Sequence, residues 1–130
     1  MTNTLGLNNV IGGVIGNFTP VTTTINLAKK PELGEVGAHD LGLTIPAGKF
    51  IVGAFIRNPK GDLEEVAGTL AVTIDGQNEV PATAASALKG KGVAAIASEP
   101  YYLEEDANII LTVATSAITE GTITVGVIYA

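Results

Sequence analysis

Ala107-Asn-Ile-Ile-Leu-Thr-Val-Ala114, the loop Thr115-Ser-Ala-Ile-Thr-Glu-Gly121, and Thr122-Ile-Thr-Val-Gly-Val-Ile-Tyr129 together decide the fold class. In the last run, Ile123, Val125, Val127 and Tyr129 alternate with Thr122, Thr124, Gly126 and Ile128. A period of two puts the first set on one face of a strand, against a core. β-Branched side chains suit that pleated surface because their stiff rotamers pack well on it. The two apolar runs read as a hairpin whose last strand lies inside a sheet. The expectation is an all-β protein.

Moving towards the N-terminus, the same logic gives further strands. Val93–Ala97 and Tyr101–Leu103 read as two short strands parted by Pro100, and Ala82–Leu88 as one or two helical turns stopped by Gly90. Leu70-Ala-Val-Thr-Ile-Asp75 is a strand, and Asp75-Gly76 a turn signal. Lys49–Ile56 is the most central-looking strand, with Phe50, Val52, Ala54 and Ile56 on one face and Ile51, Gly53 and Phe55 on the other. Arg57-Asn-Pro-Lys-Gly-Asp62 turns at its end, and Pro46-Ala-Gly48 before its start. Leu41–Ile45 and Val21–Leu27 read as strands, and Ala28–Asp40 between them as a charged surface loop. The tally of about seven or eight strands suits a single β-sandwich, for which a jelly roll is one topology.

Residues 1 to 20 stand apart as an extended Gly/Asn-rich N-terminal arm ahead of a sandwich domain spanning 21 to 130. Glycine disfavours regular structure, yet Val10, Ile11, Val14, Ile15 and Phe18 call for burial. Either they pack on their own domain, or they bury themselves on a neighbouring subunit, where binding offsets the cost of ordering. These five are the candidate protein-contact residues.

Composition narrows the function. A chain of 130 residues fits one domain, and such a domain buries roughly two thirds of its unfolded surface. Hydrophobic residues make up 46% but aromatics 5%, and sixteen glycines favour a thin sandwich over a deep cavity. The net charge of −6 and the single arginine, Arg57, argue against nucleic-acid and anionic-membrane partners. With no cysteine there is no disulfide, thiol catalysis or thiolate metal site. Neither a secretory signal nor a membrane-length apolar run is visible, so synthesis in the cytoplasm is expected.

Glu104-Glu-Asp-Ala-Asn108 is acidic enough to attract calcium, but its spacing matches no calcium loop and fits a solvated turn. His39-Asp40 pairs the one histidine with a carboxylate, but Ser86, Ser98 and Ser116 lie in no nucleophile context, so His39 reads as a loop residue before a strand. Glu64 and Glu65 are adjacent, which points them to opposite faces of a strand, and Tyr101 and Tyr102 are the best available sugar platform. Gly12-Gly13 to Gly16 lacks the Lys-Ser/Thr of a phosphate loop. No enzyme, cofactor or metal is expected.

Several segments, taken together, resemble a known group. These are the Gly/Asn arm, the turn Ile45-Pro-Ala-Gly-Lys49, the alanine segment Ala82–Gly90, the Pro100-Tyr-Tyr-Leu103 lead-in, and the closing runs Ile109–Val113 and Gly121–Tyr129. Over residues 41 to 130 the chain resembles small virion proteins of tailed bacteriophages, especially head decoration (cement) proteins. The resemblance implies a compact, homotrimeric β-sandwich on the capsid exterior, bracing major capsid protein subunits. Its partners would be itself and the major capsid protein, with no catalytic residue to carry over. Small side chains at Ala94, Ala95 and Ala97 would permit close self-contact. The competing expectations are a tail or head-fibre attachment module and a carbohydrate- or calcium-binding sandwich.

Overall fold

The computed structural model describes residues 18–63 and 67–130 in full, and the backbone of 10–11 and 14–15. The strands are β1 (Val10–Ile11), β2 (Val14–Ile15), β3 (Thr19–Asn26), β4 (Gly37–Ile45) and β5 (Phe50–Arg57). They continue with β6 (Thr69–Ile74), β7 (Gln77–Ala84), β8 (Gly92–Tyr102), β9 (Ala107–Ala114) and β10 (Thr122–Tyr129). A single helical turn, α1 (Ala85–Leu88), joins β7 to β8, and a turn of 3-10 helix, Pro31–Gly34, precedes β4.

Two antiparallel four-stranded sheets face each other in a β-sandwich, ordered β3-β10-β5-β8 and β4-β9-β6-β7. From β3 onward the chain changes sheet at every connection except the β6–β7 hairpin. That hairpin turns at Asp75-Gly76, both at positive φ (51° and 75°), which is the geometry a tight Asp-Gly turn supplies. Between the sheets lies one core, to which β9 gives Ile109, Leu111 and Val113 and β10 gives Ile123, Val125 and Val127. The alternation that decided the fold class is therefore what closes the sandwich.

The hairpin expectation fails, because β9 and β10 lie in opposite sheets. The connection of residues 115–121 is too long for a tight turn, and it drops Ile118 into the core as it crosses. The other half of the reading holds: β10 sits inside its sheet, between β3 and β5. The supposed loop before Leu41 is partly strand, since Gly37–Asp40 pairs with Ile110–Val113 of β9. Tertiary pairing overrides a loop-like composition there.

In β5 a register shift between Ile51 and Gly53 breaks the expected parity. Ile51 joins Ala54 and Ile56 in the core, whereas Val52 is buried outside it. A bulge inserts one residue and so flips the face of everything on one side of it. The expected helical turn forms over Ala85–Leu88, with Ala82–Ala84 completing β7 ahead of it, and β8 runs unbroken through Pro100. Both β7, with Pro81, and β8, with Pro100, are edge strands, where a missing N–H need cost no ladder bond.

Candidate functional site

The outer faces of the two sheets differ in kind. On β4-β9-β6-β7 the face is a polar network. Thr44 Oγ1 donates to Asn108 Oδ1 at 2.6 Å, and Asn108 Nδ2 donates to Asp40 Oδ2 at 2.8 Å. Thr73 Oγ1 donates to Asn78 Oδ1 at 3.1 Å. Asn108 and the Gly42 amide together hold the Asp40 carboxyl below its ordinary range. Such a face is content in water.

On β3-β10-β5-β8 the outer face is apolar over its β5–β8 half. Phe55 lies across Gly126 of β10, where any side chain would overlap the aromatic ring. Beside it, Phe18, Val52, Phe55, Ala94–Ala97 and Ile128 line a groove of about 270 Å³. Ile96, opposite Gly53 in the ladder, stands 85% exposed. Towards β3 the face turns polar, with Thr24 and Thr124 sharing a hydrogen bond at 3.1 Å. An apolar patch bounded by polar residues is the usual mark of an interaction surface.

Of the candidate contact residues, Phe18 is half-buried in this groove. Val10–Ile11 pairs antiparallel with Val14–Ile15, and the side chains of these four lie outside the described residues. The structure brings Phe18 together with Ala94, Ala95 and Ala97, two features far apart in the chain. Ile96 was not singled out by sequence reasoning. The available signal was the uncharged run Gly92–Ser98, which is long for a free edge.

The remaining candidates are dispersed. His39 is a strand residue rather than a loop residue; its Nε2 bonds the Glu35 carbonyl at 2.6 Å, while Asp40 turns to Gly42 and Asn108. Glu64 and Glu65 lie outside the described residues. Asp75, Tyr101, Tyr102, Glu104 and Glu105 border a polar pocket of about 360 Å³. There the Tyr101 hydroxyl donates to Asp75 Oδ2 at 2.7 Å, and that bond raises the tyrosine's pKa, as do the charges of Asp75, Glu104 and Glu79. Tyr102 packs on Phe50 with ring centroids 5.0 Å apart and planes tilted by 57°. Among the described residues no three His, Asp or Glu side chains gather as a metal site, and no helix is long and apolar enough to cross a membrane.

Sequence reasoning also passed over Asn58, which is fully buried in the turn after β5. Its Nδ2 donates to Thr122 O at 2.7 Å and Asp62 Oδ1 at 2.9 Å. Its Oδ1 accepts from Gly90 N at 3.0 Å and Leu63 N at 3.3 Å. One side chain thus ties together three separate segments. Nothing in Asn58-Pro-Lys-Gly distinguishes such a staple from an exposed turn.

No protein-family model and no curated protein matches the sequence. The strand arrangement does have counterparts. A chain from the acidic stable capsid of Helicobacter pylori bacteriophage KHP30 superposes with a TM-score of 0.60 at 11% identity, over 89% of each chain. A chain of the cyanophage Pam1 capsid asymmetric unit gives 0.61 at 18% identity, over 98% of this chain and 92% of the other. These phage capsid chains share the fold at nearly full length on both sides, so the likeness extends well beyond a local motif.

Proposed function

We propose that this chain is a structural, non-catalytic protein of a bacteriophage virion. It acts as a capsid decoration or cement protein, bracing major capsid subunits from the exterior of the head as a homo-oligomer, a trimer in the simplest form. The observation that carries the reading is the near end-to-end fold likeness to chains of two phage capsids. The strand order β3-β10-β5-β8 against β4-β9-β6-β7 fits a jelly roll, two interlocked Greek keys. The apolar outer face supplies what a bracing protein requires, a surface that gains free energy when another chain covers it. Residues 1 to 20 serve as an arm in this reading, with Val10, Ile11, Val14, Ile15 and Phe18 buried against a capsid or neighbouring subunit.

Light-scattering mass and co-sedimentation test this directly. The full chain and a variant beginning at residue 19 are each mixed with shells assembled from a cognate major capsid protein. The full chain is expected to be a small oligomer that sediments with the shells, and the truncated chain to remain in the supernatant. A full chain that leaves every shell unbound removes the decoration role.

A further inference from the structure

We propose that the apolar face around Ile96 seats the N-terminal segment Leu5–Ile15 of a second copy of this chain. This rests on the oligomeric virion reading above and names the surface that would join the copies.

Among the described residues the face is left open. Ile96 is 85% exposed, and the groove beside it, from Phe18 to Ala97, is lined by apolar side chains and Gly53. Its outer border is β8, an edge strand with one ladder partner, β5. Proteins blunt free edges with charge or proline. Gly92–Ser98 has neither, and the first such residues, Glu99 and Pro100, come only near the strand's end. An uncharged edge bordering an apolar groove suits strand addition: the backbone supplies hydrogen bonds and the groove takes alternate side chains.

The occupant is chosen by where the chain leads. Phe18, at the root of the N-terminal segment, already lines the groove. Upstream of it come Leu5, Leu7, Val10, Ile11, Val14 and Ile15, and no charged residue occurs before Lys29. Val10–Ile11 and Val14–Ile15 have strand backbone and pair with each other as a separate two-stranded sheet. Strands this short do not hold in water alone and need a larger sheet to lie on. Seventeen residues precede Phe18, and a chain of that length spans up to about 55 Å when fully drawn out, enough to cross to an adjacent domain. Exchange around a closed ring would let each copy give its segment and receive one.

The absence of native cysteine makes a clean test possible. Full-length V14C and I96C are prepared singly, the second with a mass tag, then mixed and mildly oxidised. A mixed V14C–I96C disulfide is expected as the main covalent product, at least tenfold above that of V14C with A38C, a control on the opposite sheet. In parallel, Ile96→Asp is expected to reduce the light-scattering mass to that of a monomer with unchanged far-ultraviolet circular dichroism, its melting temperature no longer depending on protein concentration. A double variant that closes within one chain overturns the proposal, and so does the lack of any cross-link, which would assign the face to a different protein. Shell co-sedimentation stays a separate readout. Mixed disulfides without shell binding remove only the virion reading; shell binding without mixed disulfides removes only this one.

Discussion

Asn58 has no exposed surface, and both ends of its amide are used: two bonds donated and two accepted. A buried polar group with partners is neutral to favourable, whereas the same partners left alone cost their desolvation. Asn58→Ala strands the Thr122 carbonyl and the amides of Gly90 and Leu63 together. The expected loss is about 2–4 kcal/mol, read from the urea midpoint at constant m-value; a change under about 0.5 kcal/mol would mean that water replaces the side chain. Asp62, at the rim of the same junction, accepts from Thr122 N at 2.9 Å and Thr122 Oγ1 at 3.3 Å. The Thr122 amide and then the Asn58 side chain lower its carboxyl pKa. A carboxylate depressed on folding contributes stability above its unfolded value and loses it as pH falls through the folded one. Asp62→Asn should therefore melt below wild type at pH 7, and the two curves should converge as pH drops below about 4. Parallel curves down to acid pH would assign the difference to packing. None of this junction was legible in the sequence, because its members are brought together only by the tertiary fold.

At the scale of elements, β9 shows why strand identity was legible and strand partnership was not. Ala107, Ile109, Leu111 and Val113 are buried while Asn108, Ile110, Thr112 and Ala114 are half-exposed, so each residue's face follows from its own position. Leu111→Ala is expected to cost about 2–5 kcal/mol, and Ile110→Ala, on the outer face, under about 1 kcal/mol. Chemical denaturation of the two variants checks the contrast, and equal losses would mean that the strand is buried on both sides. Partnership depends on which distant strand lies alongside, and no local residue encodes that. The crossing of Thr115–Gly121 between sheets could not be read from a run that would serve equally well in a hairpin. Bulges are also silent: the shift beside Val52 turned a correctly placed strand into one with half its faces reversed. That reversal moved Val52 to the outer groove, so the candidate site was only partly visible. Phe18 and the alanines of β8 were named for contact, but nothing in their spacing showed that they share one groove.

For the whole molecule, the net charge of −6 is unevenly spread. The turns after β4, β6 and β8 meet at one end of the sandwich, where Leu103 N bonds Lys49 O at 2.8 Å and Tyr101 reaches Asp75. Asp75, Glu79, Glu99, Glu104, Glu105 and Asp106 lie at or near that end, against the cation Lys49. Arg57, Lys60, Lys89 and Lys91 flank the opposite end, near the Asn58 junction. The acidic end also carries the root of the N-terminal segment, since Thr19 pairs with Tyr129 at the far end of β10 from Asn58. In the proposed assembly, such a surface repels its own copies at one end and leaves the apolar face at the side for contact between them. The acidic group includes Glu79. It is half-buried in β7, and desolvation raises its carboxyl pKa. A carboxyl raised on folding contributes fully below its unfolded value, and that contribution is lost as pH rises through the folded one. At neutral pH the folded protein thus carries an ionised group it would hold more readily protonated. Glu79→Gln is expected to raise the melting temperature at pH 7 by roughly 1–3 °C, solvent screening at a half-exposed site keeping the energy under about 0.5 kcal/mol. Below about pH 4 both side chains are neutral and the gap should vanish. Scanning calorimetry at pH 7 and pH 3.5 separates the outcomes: a gap that persists in acid would trace the gain to packing in β7, and no gap at neutral pH would mean that Glu79 is solvated as freely as in the unfolded chain.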